Sequence, residues 1–176
     1  LKVLFNPTDE VALRRIINRP ARGIGEVTVK RLTQVADASN VTLYEACPLV
    51  ADGEELRKAQ RDALLDFHDM MDQLAEDAKT LSVPDLLQRV LQRSGYIKAL
   101  EASGKADDAD KKDNLGELLT DAVKYQQAAA EPSLGDFLER LALLADIDKA
   151  EELDSTVSLM TLHSPKGLEF PVVFVV

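Results

Sequence analysis

The sequence predicts a mainly α protein, a body of about seven helices followed by a short strand-loop-strand that belongs to an α/β layer. Three observations carry this. Leu, Ala, Glu, Asp, Lys and Arg dominate a chain of 176 residues that is 45% hydrophobic and 30% charged, which favours helix and permits a real core. Apolar residues recur at helical spacing up to about residue 150. From Thr156 the pattern changes to "TVSLMTL" and "FPVVFVV", short, apolar and β-branched like buried strands of a parallel sheet.

In chain order, "NPTDEVALRRIINRP" reads as a helix with Pro7 and Thr8 at its start and Asp9 and Glu10 in the first turn, where the helix dipole favours acids. Val11, Leu13, Ile16 and Ile17 give its period, and Pro20 stops it. A second helix is expected from Glu26 to Ala38, with Val27, Val29 or Lys30, Leu32 and Val35 as its stripe. The piece "TLYEAC" reads as a short helix ended by Pro48. Residues 51–81 read as one long amphipathic helix burying Leu56, Ala59, Ala63, Leu64, Phe67, Met70, Met71 and Leu74. The next has Ser82 as N-cap, Pro84 in the first turn and Gly95 as its stop. Tyr96–Ala102 forms a short helix, and "SGKADDADKKDN", the least hydrophobic stretch, reads as a mobile loop. Helices over Leu115–Ala130 and Ser133–Ala145 complete the body.

Composition excludes several functions. The lone Cys47 leaves no internal disulfide and no zinc site built on cysteine pairs, and it fits a reducing cytosol. No apolar run approaches the ~18 residues of a membrane span. With 5% aromatic residues and no Trp, an aromatic cage for stacking bases is not available. The chain starts at Leu1 and stops inside "PVVFVV", so the expectation is a monomeric piece of a longer polypeptide. His68, Met70 and Met71 read as structural, Cys47 as buried, and Asp107, Asp108 and Asp110 as a solvated acidic loop.

The chain has a formal net charge of −10, yet "RPARGIGEVTVKRL" sets a Gly-Ile-Gly turn among basic residues. Residues 11–32 hold Arg14, Arg15, Arg19, Arg22, Lys30 and Arg31 against Glu26 alone, a local balance of +5 that leaves −15 for the other 154 residues. Screening limits the reach of those distant acids to about 8 Å at physiological salt. Gly23 and Gly25 open backbone angles and clear an approach path, and a helix N-terminus just after Gly25 offers amides without partners. Such a helix-hairpin-helix-like turn suits a phosphate backbone held without base reading. On these residues alone, a plain tight connection with Ile24 plugging the core is an equal alternative.

"TLHSPKGLEFPVVF" is more specific. A strand ending at Leu162 would deliver His163, Ser164, Lys166, Gly167 and Glu169 to the carboxyl edge of a parallel sheet, where α/β domains bind nucleotides. "SLMTLHSPKGLEFPVVFVV" resembles motif V of the UvrD/Rep/PcrA-type superfamily 1 DNA helicases. "NPTDEVALRRIINRPARGIGEVTVKRL" is similar to the opening of their subdomain 2B, "KKDNLGELL" to a helix start within it and "SLGDFLERLALLADID" to its last helix. The resemblance covers essentially the whole chain in order.

It implies a junction from RecA-like domain 2A over residues 1–7, helical subdomain 2B over 8–150, and a return into 2A with motif V over 151–176. It further implies a parent that uses ATP and Mg2+ to translocate 3′ to 5′ and separate strands in DNA repair or replication, in a bacterial cytosol at the nucleoid. Its partners would be duplex DNA, single-stranded DNA and repair or replication proteins. Arg22, Gly23, Ile24, Gly25, Thr28 and Lys30 would hold the duplex. Thr161 and His163 would lie by the single strand, and Lys166, Gly167 and Glu169 by ATP and the coupling path. Pro165 departs from the small residue usual there and removes an N–H. The chain has no G-x-x-x-x-G-K-[ST] loop, so it is expected to bind no cofactor and to be inactive alone. The alternative is a protein-interaction or autoinhibitory module of the same motor, and the parent could also be a nuclease-fused relative.

Overall fold

The computed structural model describes residues 1–53, 55–104 and 107–154, with the side chains of 107 and 145–154 left aside. Every regular element among them is an α-helix: α1 Lys2–Phe5, α2 Glu10–Ile16, α3 Glu26–Ser39, α4 Ala46–Asp52, α5 Lys58–Ala78, α6 Val83–Arg93, α7 Tyr96–Ser103, α8 Asp107–Ala128 and α9 Leu134–Asp154. The expected strand-loop-strand, with Thr161, His163, Lys166, Gly167 and Glu169, lies outside the described residues. One compact unit spans Leu1–Glu139, and a second begins at Arg140.

The body is organised around α5. Leu64, Phe67, Met71 and Leu74 recur at helical spacing and are buried, against Leu13 and Ile17 from α2, Ile24 from the turn, Leu32 and Ala36 from α3, and Cys47 and Val50 from α4. Farther along, α6 packs on α8. There the Tyr125 hydroxyl donates to Ser133 O at 3.1 Å and accepts from Ser133 N at 3.0 Å, and its ring lies 5.3 Å from that of Phe137. One side chain thus fixes the turn between α8 and α9.

Punctuation explains most boundaries. The Asp9 carboxylate accepts from Ala12 N at 2.9 Å and caps α2, so it precedes the first turn instead of sitting in it. Ser82 caps α6 through Asp85 N, with Pro84 in the first turn, and Gly95 turns the chain at φ +73°. Asn40 closes α3 in the left-handed region at φ 53°.

Four expectations are corrected. Pro48 does not end a helix: it lies in the first turn of α4, where a missing N–H costs nothing. Residues 51–53 and 55–57 are not the start of the long helix, because Gly53 closes α4 and the extended Arg57 precedes α5. Leu56 still plugs the core from that connection, while Ala59 is exposed. Val11 and Val27 belong to no buried stripe: they stand 71% and 74% exposed, and Thr28, Leu32 and Ala36 form the buried face of α3. Residues 107–114 are helical, not a loop. Asp108 is buried in the first turn of α8, taking a hydrogen bond from the Ser103 hydroxyl and pairing with Lys111 Nζ at 2.6 Å. Acids there are stabilised by the helix dipole, so low hydrophobicity marked an exposed helix start.

Candidate nucleic-acid interface

The Gly-Ile-Gly turn joins α2 to α3 and is shaped from both sides. Asn18 Oδ1 accepts from Arg22 N at 2.7 Å and from Ile24 N at 3.3 Å, folding residues 18–24 around one side-chain oxygen. The Arg19–Pro20 peptide is cis. Gly23 has φ +81°, a conformation that L side chains rarely adopt. Ile24, at 1% exposure, drops into the core. The phosphate reading and the plug reading are therefore compatible: the isoleucine faces in and the glycines are exposed.

Gly25 is the N-cap of α3, with extended φ −82° and ψ −178°. A Cβ added there would meet nothing within 4 Å, so nothing among the described residues requires a glycine. The first main-chain bond of the helix runs from Val29 N to Gly25 O at 3.1 Å. The amides of Glu26, Val27 and Thr28 accordingly have no partner among the described residues, and the turn carries the positive end of the helix dipole.

An open groove of about 1150 Å³ runs from this turn between α2 and α3, lined by Arg14, Arg15, Arg19, Gly25, Lys30 and Thr33 among others. The side chains of Arg15, Arg19 and Lys30 are exposed and make no ion pair or hydrogen bond among the described residues. Arg14 donates to Thr33 Oγ1 at 2.9 Å and lies 3.6 Å from Glu10, across the groove wall. Arg31 turns away to pair with Glu55. The groove thus presents Arg14, Arg15, Arg19 and Lys30 against Glu26.

Three residues expected at the duplex face the protein: Ile24, which drops into the core, Arg22 and Thr28. The Arg22 guanidinium donates through Nη1 to Ile16 O, Ile17 O and Pro20 O at 3.0, 3.4 and 3.1 Å, and through Nη2 to Ser94 O at 3.0 Å. It also sits 5.6 Å from the centroid of the Phe67 ring, and this burial lowers its pKa. Thr28 is fully buried, its hydroxyl taking a hydrogen bond from Gln60 Nε2 at 3.3 Å, so only its amide is directed with the helix start. Gly23, Gly25 and Lys30 are exposed together at the turn and groove. Arg15, Arg19 and Asn18 complete that constellation. The sequence signalled the arginines through local charge; Asn18 gave no comparable signal, because its role depends on how the turn closes.

The other singled-out residues are internal. His68 stacks on Tyr44 at 4.7 Å and lies 3.3 Å from Asp72, which also receives the Tyr44 hydroxyl. Burial, then the hydrogen bond to Asp72, raises the Tyr44 pKa. Cys47 is fully buried, with Sγ 3.4 Å from Leu43 O, and its thiol is pushed up to about 12 by burial. Among the described residues no three His, Cys, Asp or Glu side chains converge as a metal site. No described helix is long and apolar enough to cross a membrane.

The family model for the UvrD-like helicase C-terminal domain matches residues 1–176. The chain is 34% identical over 177 residues to the ATP-dependent DNA helicase PcrA of Staphylococcus aureus strain Mu50, covering 99% of this chain and 24% of that protein. It is 36% identical to PcrA of Staphylococcus epidermidis strain ATCC 35984, again over 99% of this chain and 24% of the relative. The chain therefore spans about a quarter of the length of these relatives. The match runs end to end: the chain belongs to the UvrD-like helicase C-terminal domain family.

Proposed function

We propose that this chain is the duplex-holding subdomain, 2B, of an ATP-dependent 3′–5′ DNA helicase, and that the Gly-Ile-Gly turn with its basic groove is the surface that holds the duplex. One observation carries the reading. Gly25 has ordinary backbone angles and open space where its side chain would be, so its backbone at the start of α3 lies open to something from outside the chain. Amides, and the side chains of Arg15, Arg19 and Lys30, that have no partner among the described residues make that something anionic. Contacts of this kind hold a sugar-phosphate backbone without reading bases.

On this reading Gly23, Gly25 and the amides of the exposed Glu26 and Val27 take one phosphate, and Arg15, Arg19 and Lys30 take its neighbours along the groove. Ile24 anchors the turn from below. ATP hydrolysis, Mg2+ and strand separation belong to the motor that this subdomain serves in DNA repair or replication. Thr161 and His163 would meet the single strand, and Lys166, Gly167 and Glu169 would link it to the ATP ribose, as the family resemblance implies. A protein-docking role for the same turn has one observation in its favour, the 74% exposed Val27 on the first turn of α3.

Salt separates the two. Duplex binding measured by fluorescence anisotropy should be weak, micromolar or looser, and log K should fall linearly with log salt at about 0.9 per phosphate held. Lys30→Ala should weaken binding roughly three- to tenfold and lower that slope by about one. Affinity that ignores salt and is unchanged by Lys30→Ala would move the assignment to a protein partner.

A further inference from the structure

We propose that Arg22 is a positioning residue which, with Asn18, clamps the Gly-Ile-Gly turn into its phosphate-ready shape without touching the phosphate itself. The functional half of this inference rests on the duplex reading above; the structural half does not.

The guanidinium is placed where two helix ends meet. Ile16 and Ile17 supply the carbonyls at the end of α2, and Ser94 is the residue that closes α6. Each end carries the negative pole of a helix dipole and orphan carbonyls. Arg22 donates to both, at 3.0 Å to Ile16 O and 3.0 Å to Ser94 O, and also holds Pro20 O inside the turn at 3.1 Å. Its planar fork lets Nη1 hold the end of α2 and the turn while Nη2 reaches Ser94, 72 positions from Arg22 along the chain. The face of Phe67 closes the site from the α5 side. Arg22 is not among the residues that line the groove.

Asn18 acts from the opposite side, because its one oxygen holds the amides of Arg22 and Ile24. Carbonyls of the turn are thus held by Arg22 and its amides by Asn18, which leaves the amides from Gly25 onward pointing outward. Binding to a turn already ordered avoids the entropy of ordering it. Lysine cannot replace this arginine: it keeps the charge but has no fork to span α2 and α6.

The test uses Arg22→Lys and Asn18→Ala in the 176-residue chain, at a temperature where circular dichroism shows each variant fully helical. Two readouts are taken, hydrogen-exchange protection of the Ile24 amide with 15N order at Gly23 and Gly25, and duplex affinity across a salt series. The expected result is lost protection and order at the turn, about tenfold weaker duplex binding, and a salt slope within about 0.3 of the parent chain. A slope lowered by about one, as for Lys30→Ala, would make Arg22 a phosphate contact and overturn the proposal. Full affinity in Arg22→Lys would overturn it as well. Should the parent chain bind no duplex, the duplex reading fails by itself, and the clamp is then judged on order: an unchanged Ile24 amide in both variants refutes it.

Discussion

Gly23 and Gly25 flank one isoleucine but answer to different causes. Gly23 is required by the chain, since its φ of +81° suits glycine and strains other residues. Gly23→Ala should therefore lower stability by about 1 kcal/mol, read from urea denaturation. Gly25→Ala should leave stability within about 0.5 kcal/mol, because the backbone is extended and the added Cβ meets nothing. Equal losses from the two would mean that Gly25 is also held by internal packing. Cys47 gives a second prediction at this scale. Its folded pKa is raised to about 12 from an unfolded value near 8.5, so its stabilising effect is full below about pH 8.5 and is lost as pH rises through 12. Tyr44 is shifted in the same direction, by burial and by Asp72, and adds to the loss above about pH 10. Stability should fall across that alkaline window, and Cys47→Ser, which cannot ionise there, should show a shallower decline in the same denaturation series.

At the scale of elements, the boundaries that the sequence revealed were those written in local chemistry. Ser82 and Pro84 announce α6, Gly95 ends it, and Gly25 followed by Glu26 opens α3, because caps and dipoles act within a few residues. What stayed hidden depended on distant partners. The break at residues 53–57 follows from Leu56 reaching the core, and the helical state of 107–114 follows from Asp108 meeting Ser103 and Lys111. The candidate site divides the same way. Its charge excess and paired glycines were legible, but the inward course of Arg22 was not, since Ser94 and Phe67 lie far along the chain. Thr28 was misplaced because a threonine one turn into a helix reads the same whether it faces a ligand or Gln60. Asp108→Ala should fray the start of α8, with faster amide exchange over residues 109–114 and unchanged protection in α5. Exchange that stays slow there would show that α8 is held by its later packing on α6.

For the whole molecule, charge is arranged by place. A chain of net charge −10 carries a stretch of +5 over residues 11–32, and four of its six basic side chains, Arg14, Arg15, Arg19 and Lys30, line the groove beside the turn against Glu26. Screening at physiological salt limits the reach of acids farther than about 8 Å from the groove, and acids on other faces discourage a polyanion from settling there. The basic patch is also built on a rigid base: Ile24, Leu13, Ile17 and Phe67 share one core, and Asn18 and Arg22 fasten the turn to it.

The central claim, that the open backbone at Gly25 receives a phosphate, is tested most directly by Gly25→Asp. Aspartate is a better N-cap than glycine and fits the extended backbone and open space there, so the melting temperature should stay the same or rise. The same carboxylate occupies the free amides and repels phosphate, so duplex affinity measured by anisotropy at low salt should fall at least tenfold. A variant that keeps both its melting temperature and its duplex affinity would contradict the account.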